Sequence, residues 1–289
     1  MRRPCLIIGH RGARGLYPEN TLAGFAGALA LGVDALELDV ALTDDGVVVV
    51  SHDPALNPNL TRDASGAWLD KAGPLIRAMR AVELASYDVG RLRPGTAYSA
   101  LFPEQSPCEG EHIPMLAHVL LVHNDVNFVI ELKTFPDRPG VAASGPDLAE
   151  ATVAVADTAG ATMRITVEGF DWRGPRHLRR TRPDVRLAWL TRRETIRDAA
   201  VWWGGPHPAD FGGSVPRAVA AEGGPVWAPD YSDLTQDHVD EAHLLGLLVI
   251  PWTVNAADDM IRLIGWGVDG LVTDRPDRAR QVLTAARPV

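Results

Sequence analysis

Short apolar runs alternate with helix candidates along this chain, and this alternation is the strongest constraint on its fold. Eight runs are nearly continuous in aliphatic residues, as in parallel strands buried on both faces: 5–9, 35–40, 128–132, 164–167, 186–190, 226–228, 247–252 and 270–272. Helix candidates with caps or terminal glycines cover 22–31, 147–158, 235–245 and 256–264. The pattern predicts a TIM-type (β/α)8 barrel. A doubly wound open sheet competes, but no Gly-x-Gly-x-x-Gly turn follows the first strand.

The length and composition suit one large globular domain. At 289 residues with 46% hydrophobic content, the chain has enough apolar residues for a barrel core, and we expect a single domain over 1–289. The formal net charge of −9 argues against a nucleic-acid partner, which would call for a basic face. An acidic protein that acts on an anionic substrate would need local cations, such as arginines or a metal ion.

One segment interrupts the strand–helix repeat. The hairpin turn Asp44-Asp45-Gly46 precedes an extra short strand at 47–52, and the segment 53–113 is then rich in proline, glycine and aromatic residues. We interpret 53–113 as an insertion subdomain at the catalytic face of the barrel. We also expect its aromatic side chains to narrow the pocket and limit the size of the group bound there.

Ionisable side chains stand at the ends of the predicted strands, together with one tryptophan: His10, Arg11, Glu37, Asp39, His52, Glu131, Lys133 and Trp252. Parallel barrel strands all end at one face, so these side chains should meet at one mouth. The three carboxylates form a hard-oxygen site that favours Mg²⁺ or Ca²⁺ over zinc. A base, an acid, a divalent cation and cationic side chains together suit cleavage of an anionic ester.

The N-terminal sequence and the cysteines bear on location. Met1-Arg2-Arg3-Pro4 leads almost directly into the first strand, the apolar run there is too short for a signal peptide, and the longest apolar run covers about half a membrane span. Two cysteines far apart indicate neither a zinc cluster nor a disulfide framework. We therefore expect a cytoplasmic protein without an integral membrane segment. The sequence leaves the oligomeric state open.

A series of motifs in this order resembles the glycerophosphodiester phosphodiesterase family across nearly the whole chain: His10-Arg11-Gly12, Pro18-Glu19-Asn20-Thr21, Glu37-Leu38-Asp39-Val40, His52-Asp53, Ile113-Pro114, Glu131-Leu132-Lys133, Trp252-Thr253-Val254-Asn255 and Gly267-Val268-Asp269-Gly270. The resemblance implies a TIM-type barrel, one divalent cation and hydrolysis of small-molecule glycerophosphodiesters to glycerol 3-phosphate and an alcohol. It also implies roles: Glu37, Asp39 and Glu131 bind the metal, His10 and His52 form the acid/base pair, and Arg11 and Lys133 contact the phosphate. The insertion resembles that of a bacterial subgroup, and we expect it to favour small headgroups over long-chain lysophospholipids.

Several residues allow two interpretations. Trp252 is predicted to contact the substrate, by stacking on the glycerol or by walling the pocket. Asp53 either orients His52 or caps the turn before Pro54. Asn20 or Thr21 is interpreted as the cap of the first helix, and Asp274 as a residue that closes a turn rather than one that binds substrate. The attacking nucleophile is either water or the neighbouring glycerol hydroxyl, which would give a cyclic phosphate first.

Other functions compete with this one. A glycoside hydrolase on the same barrel would also use paired carboxylates, but its reaction would not require Arg11 and Lys133 beside two histidines. A phospholipase D-type enzyme acting on lipids shares the chemistry, but no basic, aromatic-tipped amphipathic segment is present for a membrane surface. A non-catalytic phosphate-ester binder would have lost a histidine or a carboxylate. One departure from the family pattern is Glu168-Gly169-Phe170, where Ser-Phe is common.

Overall fold

Nine strands form one sheet in the computed structural model, which describes residues 4–285. They are β1 (Leu6–Gly9), β2 (Ala35–Leu42), β3 (Val48–Val50), β4 (Asn127–Leu132), β5 (Ile165–Gly169), β6 (Arg186–Thr191), β7 (Val226–Pro229), β8 (Leu248–Val249) and β9 (Gly270–Thr273). Eight of them pair in parallel in the order β8-β7-β6-β5-β4-β2-β1-β9, and β3 pairs antiparallel with β2. Met1, Arg2 and Arg3 of the N-terminal prediction lie outside the described residues.

Backbone hydrogen bonds between the last two strands nearly close this sheet. The amide of Asp269 donates to the carbonyl of Val249 at 2.9 Å, and the amide of Val272 donates to Pro251 at 3.0 Å. The predicted (β/α)8 barrel is confirmed. The run 247–252 contains a regular strand of only two residues, because Pro251 has no N–H to donate, but the amide of Trp252 still bonds to Pro229 at 3.1 Å.

Helices lie between the strands: α1 (Leu22–Ala30), α2 (Ala81–Leu84), α3 (Ala97–Leu101), α4 (Leu116–Val122), α5 (Gly145–Thr158), α6 (Arg173–Thr181), α7 (Arg193–Arg197), α8 (Ala199–Trp202), α9 (Val215–Glu222), α10 (Gln236–Leu244), α11 (Ala257–Trp266) and α12 (Pro276–Ala285). Side-chain caps set several starts. Ser144 accepts a hydrogen bond from the amide of Asp147, so α5 begins two residues before its predicted start. The α1 cap is Thr21, which accepts from the amide of Gly24 at 3.0 Å.

The alternation of side chains along β2 explains how the barrel both packs and presents polar groups. Leu36, Leu38 and Val40 are fully buried in the core cluster that includes Phe25 of α1. Glu37 and Asp39 alternate with them and therefore point to the opposite face, toward the barrel interior. The same period places Glu131 of β4 opposite its apolar neighbours Ile130 and Leu132. The apolar face holds the strands against the helices while the other face carries the polar groups.

The insertion packs on β2 and β3 through a small core of its own and then reaches the mouth of the barrel. Its apolar side chains Leu56, Ile76 and Leu84 cluster with Ala41 and Val49. Further along, Gln105 Nε2 donates to the carbonyl of Arg14 at 2.8 Å, and Arg275 Nη1 donates to Glu104 Oε1 at 2.5 Å. Both contacts lie where β1 and β9 end. The subdomain therefore lies at the carboxyl face of the strands, as predicted.

None of the helices within residues 4–285 is long and apolar enough to cross a membrane.

Candidate active site

Three buried carboxylates meet at the ends of β2 and β4. Oxygens of Glu37, Asp39 and Glu131 all lie within 4.8 Å of one another, and all three residues are buried. Burial, followed by the charges of Asp39 and Glu131, raises the pKa of Glu37 well above its usual range. Three acidic groups this close repel one another unless a positive charge lies between them.

The donor atoms of this cluster fit a divalent cation. Asp39 Oδ1 is buried and accepts no hydrogen bond from the described residues. Burial would raise the pKa of Asp39, but Arg11, His52 and Lys133 hold it well below its usual range, so the group is a carboxylate. An unsatisfied, ionised oxygen beside two further carboxylates matches the oxygen-only coordination of Mg²⁺ or Ca²⁺. Glu37, Asp39 and Glu131 are the residues that would hold the ion.

Two buried cations border the carboxylates. Arg11 Nη1 donates to Glu19 Oε1 at 2.7 Å, and Arg11 Nε lies 3.1 Å from Asp39 Oδ2. Lys133 Nζ donates to Glu131 Oε1 at 2.7 Å. Burial lowers the pKa of Lys133, but Glu131 and Asp39 outweigh it, so the net shift is upward and the amine stays charged. These cations can neutralise an anion that enters beside the carboxylates.

His10 is held at the end of β1 by a carboxylate that the sequence did not mark as functional. Asp274, interpreted above as a turn residue, places Oδ1 at 2.6 Å from His10 Nδ1. Arg14 Nε donates to the same oxygen at 3.0 Å, and Asn255 Nδ2 donates to Oδ2 at 2.8 Å. The sequence interpretation of Asp274 as a turn residue missed this contact because the partner is 264 residues away in sequence, and local turn chemistry carries no signal for such a contact.

These contacts define the protonation of His10. Burial and then the Arg14 charge lower the pKa of His10 to about 4, although Asp274 opposes the shift. Asp274 itself has its pKa held well below the usual range by His10 and Arg14, against the effect of burial. An ionised Asp274 accepts hydrogen bonds only, so it selects the tautomer of His10 with the proton on Nδ1. Nε2 is then free to accept a proton and lies 3.8 Å from Glu37 Oε2.

His52 follows β3 and has the same kind of support. Its Nδ1 lies 2.8 Å from Asp53 Oδ1, and Asn57 Nδ2 donates to Asp53 Oδ2 at 2.6 Å. Hydrogen bonds from His52 lower the pKa of Asp53 against the effect of burial. Of the two roles considered for Asp53, the contacts favour orienting the imidazole. In both histidines a carboxylate therefore fixes Nδ1, and Nε2 lies on the side of the ring away from that carboxylate.

Asn20 also acts in the site. Its Nδ2 donates to Asp39 Oδ2 at 2.9 Å, and of the two candidate caps, Asn20 and Thr21, it is Thr21 that caps α1. Asn20 adopts φ 55°, a left-handed conformation that asparagine tolerates better than most residues. The backbone thereby turns the Asn20 side chain toward β2 while the next residue begins the helix.

A cavity of about 300 Å³ opens above these groups. Its lining includes His10, His52, Glu37, Glu131, Arg11 and Lys133, together with Phe170, Arg192, Trp202 and Trp252. The edge-to-face contact of Trp252 with Phe170, at 5.4 Å between ring centroids, and the bond from its Nε1 to the carbonyl of Ala228 at 3.0 Å fix the indole in the wall. Glu168 lines the same cavity, and burial and then Glu131 raise its pKa well above the usual range.

The insertion does not supply the wall that its aromatic residues suggested. Of the residues described, none within 53–113 lines this cavity. The Tyr98 hydroxyl instead donates a hydrogen bond to Glu19, the partner of Arg11. The guanidinium carbon of Arg14 lies 4.8 Å from the centroid of the Phe102 ring. The predicted narrowing of the pocket by the insertion has no support in the lining. The insertion therefore contacts the segment after β1 that carries Arg11 and Arg14.

Comparisons with known proteins show which family this chain resembles. The sequence profile of the glycerophosphoryl diester phosphodiesterase family matches residues 10–278. A glycerophosphodiester phosphodiesterase of Bacillus altitudinis is 30% identical over 282 residues, which cover 96% of this chain and 97% of that protein. One of Caldanaerobacter subterraneus subsp. tengcongensis is 26% identical over 272 residues, covering 94% and 95%.

Solved structures show the same similarity. A crystal structure of a protein from Silicibacter pomeroyi DSS-3, which carries the same family's name, superposes with a TM-score of 0.88 at 38% identity and covers 98% of this chain and 94% of its own. A phosphodiesterase of Oleispira antarctica, solved in complex with the product sn-glycerol-3-phosphate, shares the fold at a TM-score of 0.73 and 20% identity, with 97% of each chain covered. The chain belongs to the glycerophosphoryl diester phosphodiesterase family and is a phosphoric diester hydrolase.

Proposed function

We propose that this enzyme hydrolyses glycerophosphodiesters to glycerol 3-phosphate and an alcohol, with one divalent cation at Glu37, Asp39 and Glu131 and with His10 and His52 as the acid/base pair. The observation that carries the proposal is the pair of imidazoles, each fixed at Nδ1 by a carboxylate, beside three buried carboxylates and two buried cations. The predicted cytoplasmic location stays a prediction.

The chain's own residues would bind and orient the phosphodiester. Arg11 and Lys133 supply charged donors to its anionic oxygens, and their existing carboxylate partners hold them in place before substrate arrives. When bound, Mg²⁺ or Ca²⁺ would supply further neutralisation of phosphate charge, which otherwise repels a nucleophile. Trp252 would hold one arm of the substrate against the wall of the cavity.

The two histidines would move the protons. One histidine, neutral, accepts at Nε2 the proton of the nucleophile, which is water or the neighbouring glycerol hydroxyl. The other, as an imidazolium with protons on both nitrogens, donates its Nε2 proton to the leaving alkoxide. Asp274 and Asp53 keep each ring in the tautomer and orientation that this exchange needs. The Oleispira protein, with sn-glycerol-3-phosphate bound, supports a small-molecule substrate of this class.

The test is hydrolysis by the purified protein with Mg²⁺, Ca²⁺ or a chelator. Glycerophosphocholine, glycerophosphoethanolamine and lysophosphatidylcholine are supplied. The phosphorylated product, which is glycerol 3-phosphate or, from lysophosphatidylcholine, lysophosphatidate, is identified by ³¹P NMR together with any cyclic phosphate, and the alcohol is identified by ¹H NMR. We expect His10→Ala and His52→Ala each to lower kcat by about 10²-fold or more. His118→Ala, on the exposed face of α4, is the control. Full turnover in either active-site variant would remove that histidine from the pair.

A further inference from the structure

The mouth of the barrel has two chemically different halves. The half formed by β1, β2 and β4 carries the carboxylates, His10 and the cations that the proposed mechanism uses. The half formed by β5 to β8 carries a wall of three aromatic side chains, Phe170, Trp202 and Trp252, in edge-to-face contact. Two ionisable residues of that second half have no role in the mechanism above: Glu168, whose raised pKa favours the neutral acid, and Arg192.

Arg192 is positioned by its surroundings. It directly follows β6, and Thr195 Oγ1 both accepts from the Arg192 amide at 3.2 Å and donates to its carbonyl at 3.0 Å. The guanidinium carbon lies 5.0 Å from the centroid of the Phe170 ring. A guanidinium that stacks on a fixed ring loses little further freedom when it binds a ligand.

Among the cations that line the cavity in the described part of the chain, Arg192 is the one whose side chain donates no hydrogen bond. Arg11, Arg14 and Lys133 each donate to a carboxylate. The Arg192 guanidinium forms no hydrogen bond to any residue in the described part of the chain, and its Nε is buried without a partner. Glu194 Oε2 is 3.6 Å from that Nε, but the side chains are 42% and 59% exposed, and such pairs hold weakly. A guanidinium that lines a cavity and donates no hydrogen bond to the described residues favours a ligand that supplies an acceptor.

Resting on the proposed function, we propose that Arg192 is a specificity-determining residue that binds a carboxylate on the alcohol group of the substrate. A phosphodiester bound between Arg11 and Lys133 lies in the first half of the mouth, and one of its arms extends into the second. The planar guanidinium pairs with a carboxylate through two parallel hydrogen bonds. The enzyme then prefers glycerophosphoserine to glycerophosphoethanolamine, two substrates that differ only by that carboxylate.

The experiment measures kcat/KM for both substrates with saturating divalent cation. We expect the wild type to prefer glycerophosphoserine and Arg192→Gln to lower the ratio of the two values by about tenfold or more, mainly through KM for glycerophosphoserine. Arg192→Lys keeps the positive charge but lacks the planar guanidinium, so its ratio of the two kcat/KM values should lie between those of the wild type and Arg192→Gln. Arg193→Gln is the control, because Arg193 is 78% exposed and pairs with Asp233 outside the cavity. Melting temperatures check that each variant folds.

A second readout does not depend on turnover. In a His10→Ala/His52→Ala background, calorimetry should show that Arg192→Gln weakens binding of glycerophosphoserine by about tenfold while binding of glycerophosphoethanolamine changes little. An unchanged ratio in Arg192→Gln, or an equal loss for both substrates, overturns the role of Arg192. A wild type that hydrolyses neither of these substrates nor glycerophosphocholine refutes the proposed function as well, so the two failures are distinguishable.

Discussion

Asp274→Asn is the sharpest test of how the site is assembled. The carboxylate of Asp274 is buried and receives donors at both oxygens: His10 Nδ1 and Arg14 Nε at Oδ1, Arg14 Nη2 and Asn255 Nδ2 at Oδ2. An asparagine keeps the shape but replaces one acceptor by an NH₂ group. In either orientation of the amide, its NH₂ group then faces N–H donors of neighbouring side chains where a carboxylate oxygen had accepted hydrogen bonds. The charge that pairs with Arg14 is lost as well.

The expected magnitude follows from these contacts. Removing one partner of a buried ion pair costs about 3–5 kcal/mol, and the retained amide acceptor places Asp274→Asn near 3 kcal/mol. This corresponds to a fall in Tm of roughly 5–10 °C for a chain of this size. If the NH₂ group faces His10, Nδ1 must become the acceptor and Nε2 carries the proton, so Nε2 can no longer accept one. We expect kcat to fall by about 10²- to 10⁴-fold.

The assay compares the wild type, Asp274→Asn and Asp277→Asn. Release of glycerol 3-phosphate from glycerophosphocholine is followed across pH, and melting is measured on the same samples. Asp277 lies three residues further along and pairs with Arg275, so its variant controls for a lost carboxylate near the same turn. If Asp274→Asn folds and keeps kcat within roughly threefold of the wild type, Asp274 does not position His10 for proton transfer.

Three further predictions follow from the same contacts. Excess chelator should lower kcat by about 10²-fold or more. Added Mg²⁺ or Ca²⁺ should raise Tm in the wild type but much less in Asp39→Asn. Activity that chelation leaves unchanged would contradict the cation site. Tyr98→Phe should lower kcat/KM by about tenfold through the Glu19–Arg11 pair, with Tyr87→Phe as the control in the same insertion; equal effects of the two would contradict this. The pKa of His10 is about 4 in the folded protein and about 6.5 in the unfolded chain. As pH falls from about 6.5 to 4, the unfolded chain therefore binds a proton at His10 that the folded protein does not. The free energy of unfolding of the metal-free protein should therefore fall by about 3 kcal/mol over that range, and urea unfolding of His10→Ala should lack this component.

The parts of the site that were predictable share a local origin. Glu37 and Asp39, and likewise Glu131 and Lys133, are two residues apart on strands whose other face is apolar, and this period is visible in the sequence. Once eight such strands are assigned, barrel geometry brings their ends to one mouth. The structure does bring His10, Glu37, Asp39, Glu131 and Lys133 together.

The parts that were missed depend on contacts between distant segments. Asp274 meets His10 across the junction of β9 and β1, and its neighbours in sequence describe only a turn. Asn20 looks like a helix cap until its left-handed backbone directs it to Asp39. Aromatic residues of the insertion looked like pocket walls, but the aromatic residues that line the cavity come from segments after β4, β5, β6 and β8.

The sequence by itself determined the repeating strand and helix, the barrel that follows from that repeat, and the strand-end residues with chemistry, because each depends on side-chain period and local capping. Only the tertiary structure decided which carboxylate contacts each histidine, which oxygen of Asp39 accepts no hydrogen bond from the described residues, and which cation of the cavity lining donates none to them. Those properties depend on burial and on distances between groups as far apart in sequence as His10 and Asp274. Burial strengthens such electrostatic contacts, and only the folded chain creates the burial.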